Sequence, residues 1–247
     1  MTLKINNLTG GYHGVSVLKD LNLTVEKGKA VALIGLNGAG KSTTIKHILG
    51  LLRPQRGYIE LDGIKLAQAP EAFKQKLAYI PETPILYPEL TLKEHIELTI
   101  LAYHLDEAET WKKANDLLTK FRLDNKLDWL PIHFSKGMKQ KVMIVCAFLA
   151  ASDLLVIDEP FTGLDPLSAL TLIDLVQEAK NQGKMILITS HVLSEVQDTV
   201  DQFAVLNNRK IEVCGSLNEI KAHYGLSEQD SFDQIYRVLS REQVQHG

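Results

Sequence analysis

Residues 35–43 read GLNGAGKST and fit the pattern G-x-x-x-x-G-K-[ST] from Gly35 to Ser42. Gly35, Gly38 and Gly40 let a backbone wrap a phosphate with its N–H groups turned inward. Lys41 supplies a point charge for β- and γ-phosphates, and the Ser42 hydroxyl is an oxygen ligand for Mg2+. The flanks agree: KAVALIG ahead of the loop reads as a buried strand, and TTIKHILGLL behind it as a helix. A glycine turn with an incidental lysine is the alternative, and strand, spacing and helix all argue against it.

LLVIDEP, residues 154–160, brings acids. Its apolar run is a buried strand that ends in Asp158 and Glu159. The first acid, at the strand tip, can hold Mg2+ through water. Glu159 points elsewhere and can polarise a water for attack on a γ-phosphate. General-base assistance is worth roughly 10²–10⁴-fold in rate. His191 follows another buried strand in LITSH. Ligands of parallel α/β sheets gather at the carboxyl ends of strands, which puts His191 near Gly35 and Asp158 as a donor to the γ-phosphate. Alone, a histidine there reads as structural; beside these neighbours the functional reading is preferred. Lys41, Ser42, Asp158 and Glu159 together point to hydrolysis of a Mg2+-bound nucleotide.

The stretch HFSKGMKQKVMIVCAFLA, from His133 to Ala150, reads as a helix start, with Ser135 as cap and Gly137 in the first turn. Such a start presents free N–H groups and a positive dipole end, which also suit a phosphate. One chain thus carries two phosphate sites.

These residues need a scaffold. LKINNLT, VLKDLNLTV and GYIELDG alternate as half-exposed antiparallel strands do, and LAYIP is a buried strand ended by Pro81. From Thr91 to about Ala150 the pattern is helical, with capping boxes at Thr91/Glu94 and Asp106/Glu109. This segment reads as a helical subdomain inserted into an α/β core. Alternation then resumes: Asp165-Pro166 starts a helix, KMILITS is a buried strand, and QFAVLNNRKIEVCG is a hairpin with its turn at Asn207-Asn208. Ser216 with Glu219 opens a short helix that Gly225 closes. The tail, about 227–247, is polar and holds one amphipathic helix around Phe232, Ile235 and Leu239. One domain spanning residues 1–247 is expected.

Composition sets limits. The 247 residues are 45% hydrophobic and 23% charged with a net charge of -3, so neither nucleic acid nor an anionic membrane surface is an expected partner. Cys146 and Cys214 lie in apolar segments without metal-like spacing and read as two buried thiols in a reducing cytosol. MTLKINNLTG alternates like a strand and lacks the pattern of a signal peptide. The longest apolar run, Val142 to Ala151, is about half the ~20 residues a membrane span needs. Docking on a membrane protein remains open to such a chain.

In this order, the motifs resemble those of the ATP-binding subunits of ABC transporters over nearly the whole chain. GLNGAGKST resembles the Walker A motif, which implies nucleotide contacts from Gly35, Asn37, Gly38, Ala39, Gly40, Lys41, Ser42 and Thr43. LLVIDEP resembles Walker B with its catalytic glutamate at 159, FTGLD the D-loop with Asp165, and His191 the switch histidine. Tyr12, in GGYHG, matches the aromatic that stacks on adenine, and FSKGMKQK the LSGGQ-type signature, implying trans contacts from Ser135, Lys136, Gly137 and Met138. The resemblance implies a RecA-like P-loop NTPase core, ATP and Mg2+ as cofactors, and a head-to-tail dimer. Each ATP then lies between the phosphate loop of one subunit and the signature helix of the other, which accounts for two phosphate sites. A second ATP-binding subunit, an identical chain in the simplest case, and a polytopic transmembrane subunit on a separate chain are the implied partners. Peripheral attachment at the cytoplasmic face of the membrane is the implied location.

Three positions depart from the family pattern. Glu82 in AYIPETP stands where the Q-loop usually has Gln; its charge favours Mg2+ and opposes the γ-phosphate, or it faces the membrane partner and sets partner choice. Lys136 replaces the first signature glycine, as a cation near the trans nucleotide or as a solvated helix-start lysine, and Met138 replaces Gln. IPETPILYPELTLKEHIE is similar to the Ecs-type exporter ATPases of Gram-positive bacteria, which work with a separate polytopic membrane protein. Two rival readings are a soluble ABC ATPase acting on DNA or ribosomes and a regulatory subunit that binds nucleotide without turnover. The first lacks visible coiled coils, zinc modules or a basic charge; Glu159 and His191 argue against the second.

Overall fold

The computed structural model describes residues 1–190, 196–231 and 234–246, with backbone alone for 241–246. His191 and Phe232 lie outside the described residues. An antiparallel sheet forms first: β1 (Thr2–Tyr12) pairs with β2 (Val15–Glu26) and with β4 (Arg56–Leu61), and β5 (Ile64–Lys65) completes the order β2-β1-β4-β5. A second sheet has the order β10-β9-β3-β8-β7-β6. It comprises β3 (Ala30–Ile34), β6 (Leu77–Ile80), β7 (Leu154–Asp158), β8 (Met185–Thr189), β9 (Gln202–Asn207) and β10 (Lys210–Gly215). All its pairings are parallel except β9 with β10.

Strands β3, β7 and β8 are buried along their whole length, as strands covered on both faces must be. Alternate residues serve opposite faces. Val31, Leu33, Leu154 and Val156 join the apolar layer shared with the small sheet and with Ile45 and Ile48 of α1 (Lys41–Ile48). Ala30, Ala32, Ile34, Leu155 and Ile157 join the larger layer under the helices. Those helices are α3 (Leu92–Ala102), α4 (Glu107–Phe121) and α5 (Lys136–Leu149), between β6 and β7 in the chain, and α6 (Pro166–Asn181) after β7. A short α2 (Pro70–Gln75) precedes β6; α7 (Leu217–His223) and α8 (Gln234–His246) close the chain.

The local features follow the sequence with three corrections, to one cap, one turn and one cysteine. Thr91 and Ser216 make full capping boxes with Glu94 and Glu219, and Gly225 (φ 67°) ends α7 with its N–H on Ala222 and that of Leu226 on Lys221. Asp106 makes only half the expected box: its carboxylate accepts from the Glu109 N–H at 2.8 Å, with no return bond from the Glu109 side chain. The β9–β10 turn centres on Asn208-Arg209 (φ 46° and 71°), not Asn207-Asn208, because a two-residue turn that suits strand twist needs positive φ at both central positions. Asn207 is the buried last residue of β9. Cys214 is exposed on edge strand β10, not buried as its apolar neighbours suggested, whereas burial raises the Cys146 thiol to about 11. Ile235 and Leu239 of the tail helix are buried in the core, as the amphipathic pattern required.

Candidate active site

Parallel register brings the functional strand ends together. Ile80 aligns with Ile157, Asp158 with Thr189, and Leu33 with Thr189. The residues next along each strand therefore emerge at one edge of the sheet: the glycine loop after β3, Glu82 after β6 and Glu159 after β7. A cleft of about 340 Å³ there is lined by Asn37, Gly38, Gly40, Lys41, Ser42, Thr43, Glu82, Asp158 and Glu159.

The loop conformation depends on glycine. Gly38 (φ 81°) and Gly40 (φ 114°) are left-handed, and a methyl on Gly40 would come within 2.7 Å of Leu18 Cδ2. Gly40 precedes the first turn of α1, which has no side-chain cap, whereas Thr91, Asp106, Ser135, Asp165 and Ser216 cap their own helices. The first N–H groups of α1 thus lie at the cleft without a side-chain cap, an arrangement that suits an anion. The Lys41 ammonium folds back onto the carbonyl oxygens of Gly35 (2.6 Å) and Leu36 (3.3 Å). Burial holds its pKa below the usual lysine range, while Glu159 and Asp158 oppose that shift.

Thr189 organises the acids. Its hydroxyl donates to Asp158 Oδ1 in a short bond, and its hydroxyl and carbonyl oxygens each lie 3.2 Å from the Glu159 N–H. Tyr79 donates its phenol to Asp158 Oδ2 at 3.4 Å; burial, then the charges of Asp158 and Glu82, push its pKa up. Glu159 has φ 47°, a left-handed conformation that costs a non-glycine residue about 1–2 kcal/mol. Its backbone bonds to Thr189 hold it there. Strain of this kind gathers at functional sites.

Tyr12 ends β1, partly exposed, with Lys46 donating to its hydroxyl at 3.1 Å. That bond lowers the Tyr12 pKa, burial raises it, and a bond with Thr43 lowers it further, so Tyr12 stands beside the loop's last residue. The signature stretch is elsewhere. Ser135, Lys136, Gly137 and Met138 are absent from the cleft lining; Ser135 caps α5 by accepting from the Met138 N–H at 3.2 Å, and Lys136 is exposed. Asp165 caps α6 through Ser168 and pairs with Lys141 at 2.7 Å.

A family model described as ABC transporter matches residues 18–162. The chain belongs to the ABC transporter family. Members with this ATP-binding core are ATPases, and this chain is one. It is 47% identical to the ABC-type transporter ATP-binding protein EcsA of Bacillus subtilis (strain 168) over 244 residues, 99% of this chain and 98% of that protein. A solved structure of an ATP-binding subunit of an ABC transporter superposes with a TM-score of 0.93 at 49% identity, covering 97% of this chain and all of that one (100%). A bacterial Atm1-family ABC exporter with ATP bound shares the fold at a TM-score of 0.82 and 22% identity, over 96% of this chain and 41% of that one.

Within this family fold, the structure adds residues that motif reading missed. Thr189 and Tyr79 hold Asp158; Lys141 holds Asp165; Gln140, buried in α5, donates to the Pro81 carbonyl at 3.2 Å, next to Glu82. Only Thr189 had a local signal, two residues before His191 in LITSH. Among the described residues no cluster of three His, Cys, Asp or Glu side chains could hold a metal ion, and no helix is long and apolar enough to cross a membrane.

Proposed function

We propose that this chain is the ATP-hydrolysing, nucleotide-binding subunit of an ABC transporter. As one nucleotide-binding domain, residues 1–247, it dimerises head to tail around two Mg-ATP and drives a separate polytopic membrane subunit, as an exporter, from the cytoplasmic face of the membrane. The observation that carries this reading is a cleft holding Lys41, Ser42, Glu82, Asp158 and Glu159 while the signature helix start lies outside it. A half-site of that kind calls for a second copy. The exporter assignment rests on the resemblance of IPETPILYPELTLKEHIE to the Ecs-type exporter ATPases.

The cleft suits Mg2+, which takes oxygen ligands and binds through one or two carboxylates plus phosphate oxygens. Ser42, Asp158 and Glu82 are the oxygen donors present, and Asp158 keeps lone pairs free beside its bonds to Thr189 and Tyr79. The ion supplies neutralisation of phosphate charge. Lys41 leaves the carbonyls of Gly35 and Leu36 for the β- and γ-phosphates, and the α1 N–H groups hold them. Adenine stacks on Tyr12. Glu159 takes a proton from the attacking water as the γ-phosphoryl group leaves ADP, with His191 as a donor to that group. Ser135 of a second copy can donate its hydroxyl to the same phosphate while still accepting from Met138, since a hydroxyl has one donor and two acceptor positions. Cleavage removes the shared phosphate and loosens the clamp.

The test uses the purified chain with Mg2+ and ATP. Glu159→Gln should bind ATP, elute as a dimer in its presence, and turn over at least ~10²-fold more slowly than the parent. Ser135→Arg in that background should return the protein to a monomer that still binds ATP. Wild-type turnover by Glu159→Gln would assign the base elsewhere, and dimers surviving Ser135→Arg would remove the trans role.

A further inference from the structure

The tail helix α8 is seated, not loose. Ile235 and Leu239, one helical turn apart, are buried in the same core layer as Ile188 of β8 and Val196. Seating that stripe brings Tyr236 against the end of β8, where its hydroxyl donates to the Ser190 carbonyl at 3.3 Å. Ser190 is itself buried and follows Thr189 directly. Thr189 is the residue whose hydroxyl and carbonyl oxygens hold Asp158 and the Glu159 backbone. A continuous path of contacts thus runs from the tail helix through Ser190 and Thr189 to both acids.

We propose that Tyr236 is a positioning residue for ATP hydrolysis: by tying α8 to the end of β8, it fixes Thr189 and through it the placement of Asp158 and Glu159. This inference rests on hydrolysis at the cleft described above. Tyr236 is not among the residues that line the cleft, so its loss should affect the chemical step and not ATP binding. The phosphate loop and Tyr12, which bind the nucleotide, belong to other elements. The bond is long for O–H···O, so its loss is modest in effect. Deleting the hydroxyl while keeping the ring should lower kcat by about two- to fivefold, the low end of what one neutral hydrogen bond supports. KM should change by less than about twofold, because uniform binding is untouched.

The experiment measures steady-state ATP hydrolysis and thermal unfolding of the full chain, of Tyr236→Phe, and of Ser240→Ala. The last removes a hydroxyl from the same helix that, among the described residues, bonds within α8 to the Tyr236 carbonyl. The expected result is a lower kcat for Tyr236→Phe at unchanged KM and melting temperature, with Ser240→Ala like the parent. An unchanged kcat for Tyr236→Phe overturns the inference. So does a fall in kcat that Ser240→Ala shares or that a lower melting temperature accompanies, since that is loosening of the helix. A parent chain without Mg2+-dependent turnover refutes the hydrolysis reading itself, a distinct outcome.

Discussion

Replacing Gly137 by alanine adds one methyl group at the start of α5, and the structure places it 2.5 Å from the Gly163 carbonyl oxygen. An ordinary contact begins near 3.4 Å, so helix and loop must part by about 0.9 Å. Neither partner is a flexible side-chain end: one is the first turn of a helix, the other the backbone of the loop joining Glu159 to Asp165. Overpacking of this kind costs about 1–3 kcal/mol. Better helix propensity returns up to about 1 kcal/mol, leaving a net loss of about 1 kcal/mol. Activity should suffer more than stability. A displacement near 1 Å can cost on the order of 10²-fold in rate, and this contact couples the start of α5 to the loop that begins at Glu159, the proposed base. Denaturant unfolding and Mg2+-ATP turnover of Gly137→Ala are the assay, with Lys136→Ala as control. Lys136 is exposed, and its side chain passes at ordinary distance, 3.9–4.0 Å, from a methyl built on Gly163. Its loss should shift stability by less than about 0.5 kcal/mol. A Gly137→Ala protein as stable and as active as the parent would refute the reasoning. Position 136 thus has room for a lysine, whereas position 137 has no room for a Cβ.

Lys41→Ala should weaken ATP binding by about 10- to 100-fold, the worth of a charge-assisted bond to phosphate, read by equilibrium titration with a fluorescent nucleotide; unchanged affinity would disqualify the phosphate loop. Lys141→Met should reduce stability by at most about 1 kcal/mol at neutral pH: the Lys141 ammonium is the leading cause of the depressed Asp165 pKa, but Asp165 is about half exposed and solvent screens the pair. A depressed folded-state carboxyl stabilises above its unfolded value and loses that contribution as pH falls toward the folded value. The difference between parent and variant should therefore hold from pH 7 to about 5 and shrink below about pH 4; a difference that grew in acid would contradict the pairing. Thr91→Ala removes half of the α3 capping box and should cost about 1 kcal/mol in denaturant unfolding, with ATP affinity unchanged because no cleft residue lies on α3.

Much of the architecture could be read without coordinates because local physics determines it. Alternation marked β1, β2 and β4, continuous apolar runs marked β3, β7 and β8, and Thr91, Asp165 and Ser216 announced helix starts that the structure retains. Two features departed from the local pattern. Turn chemistry at Asn208-Arg209 depends on backbone hand more than on polarity, and the exposure of Cys214 depends on strand order, which decides that β10 is an edge. Glu82, left between metal and membrane partner by its type alone, lines the cleft because β6 pairs in parallel with β7.

By itself, the sequence determined the chemistry: a phosphate loop, two acids after an apolar strand, and a capped glycine-bearing helix start are short-range patterns whose meaning travels with them. Only the tertiary structure decided which of these meet. Parallel pairing of β6, β7, β8 and β3 brings Glu82, the acids, Thr189 and the loop to one edge. It also leaves Ser135 outside the cleft, packs Gly137 on Gly163, and docks Tyr236 from the far end of the chain onto Ser190. Strand order and close approach join residues far apart in sequence, and packing in three dimensions sets them, so no local pattern records them.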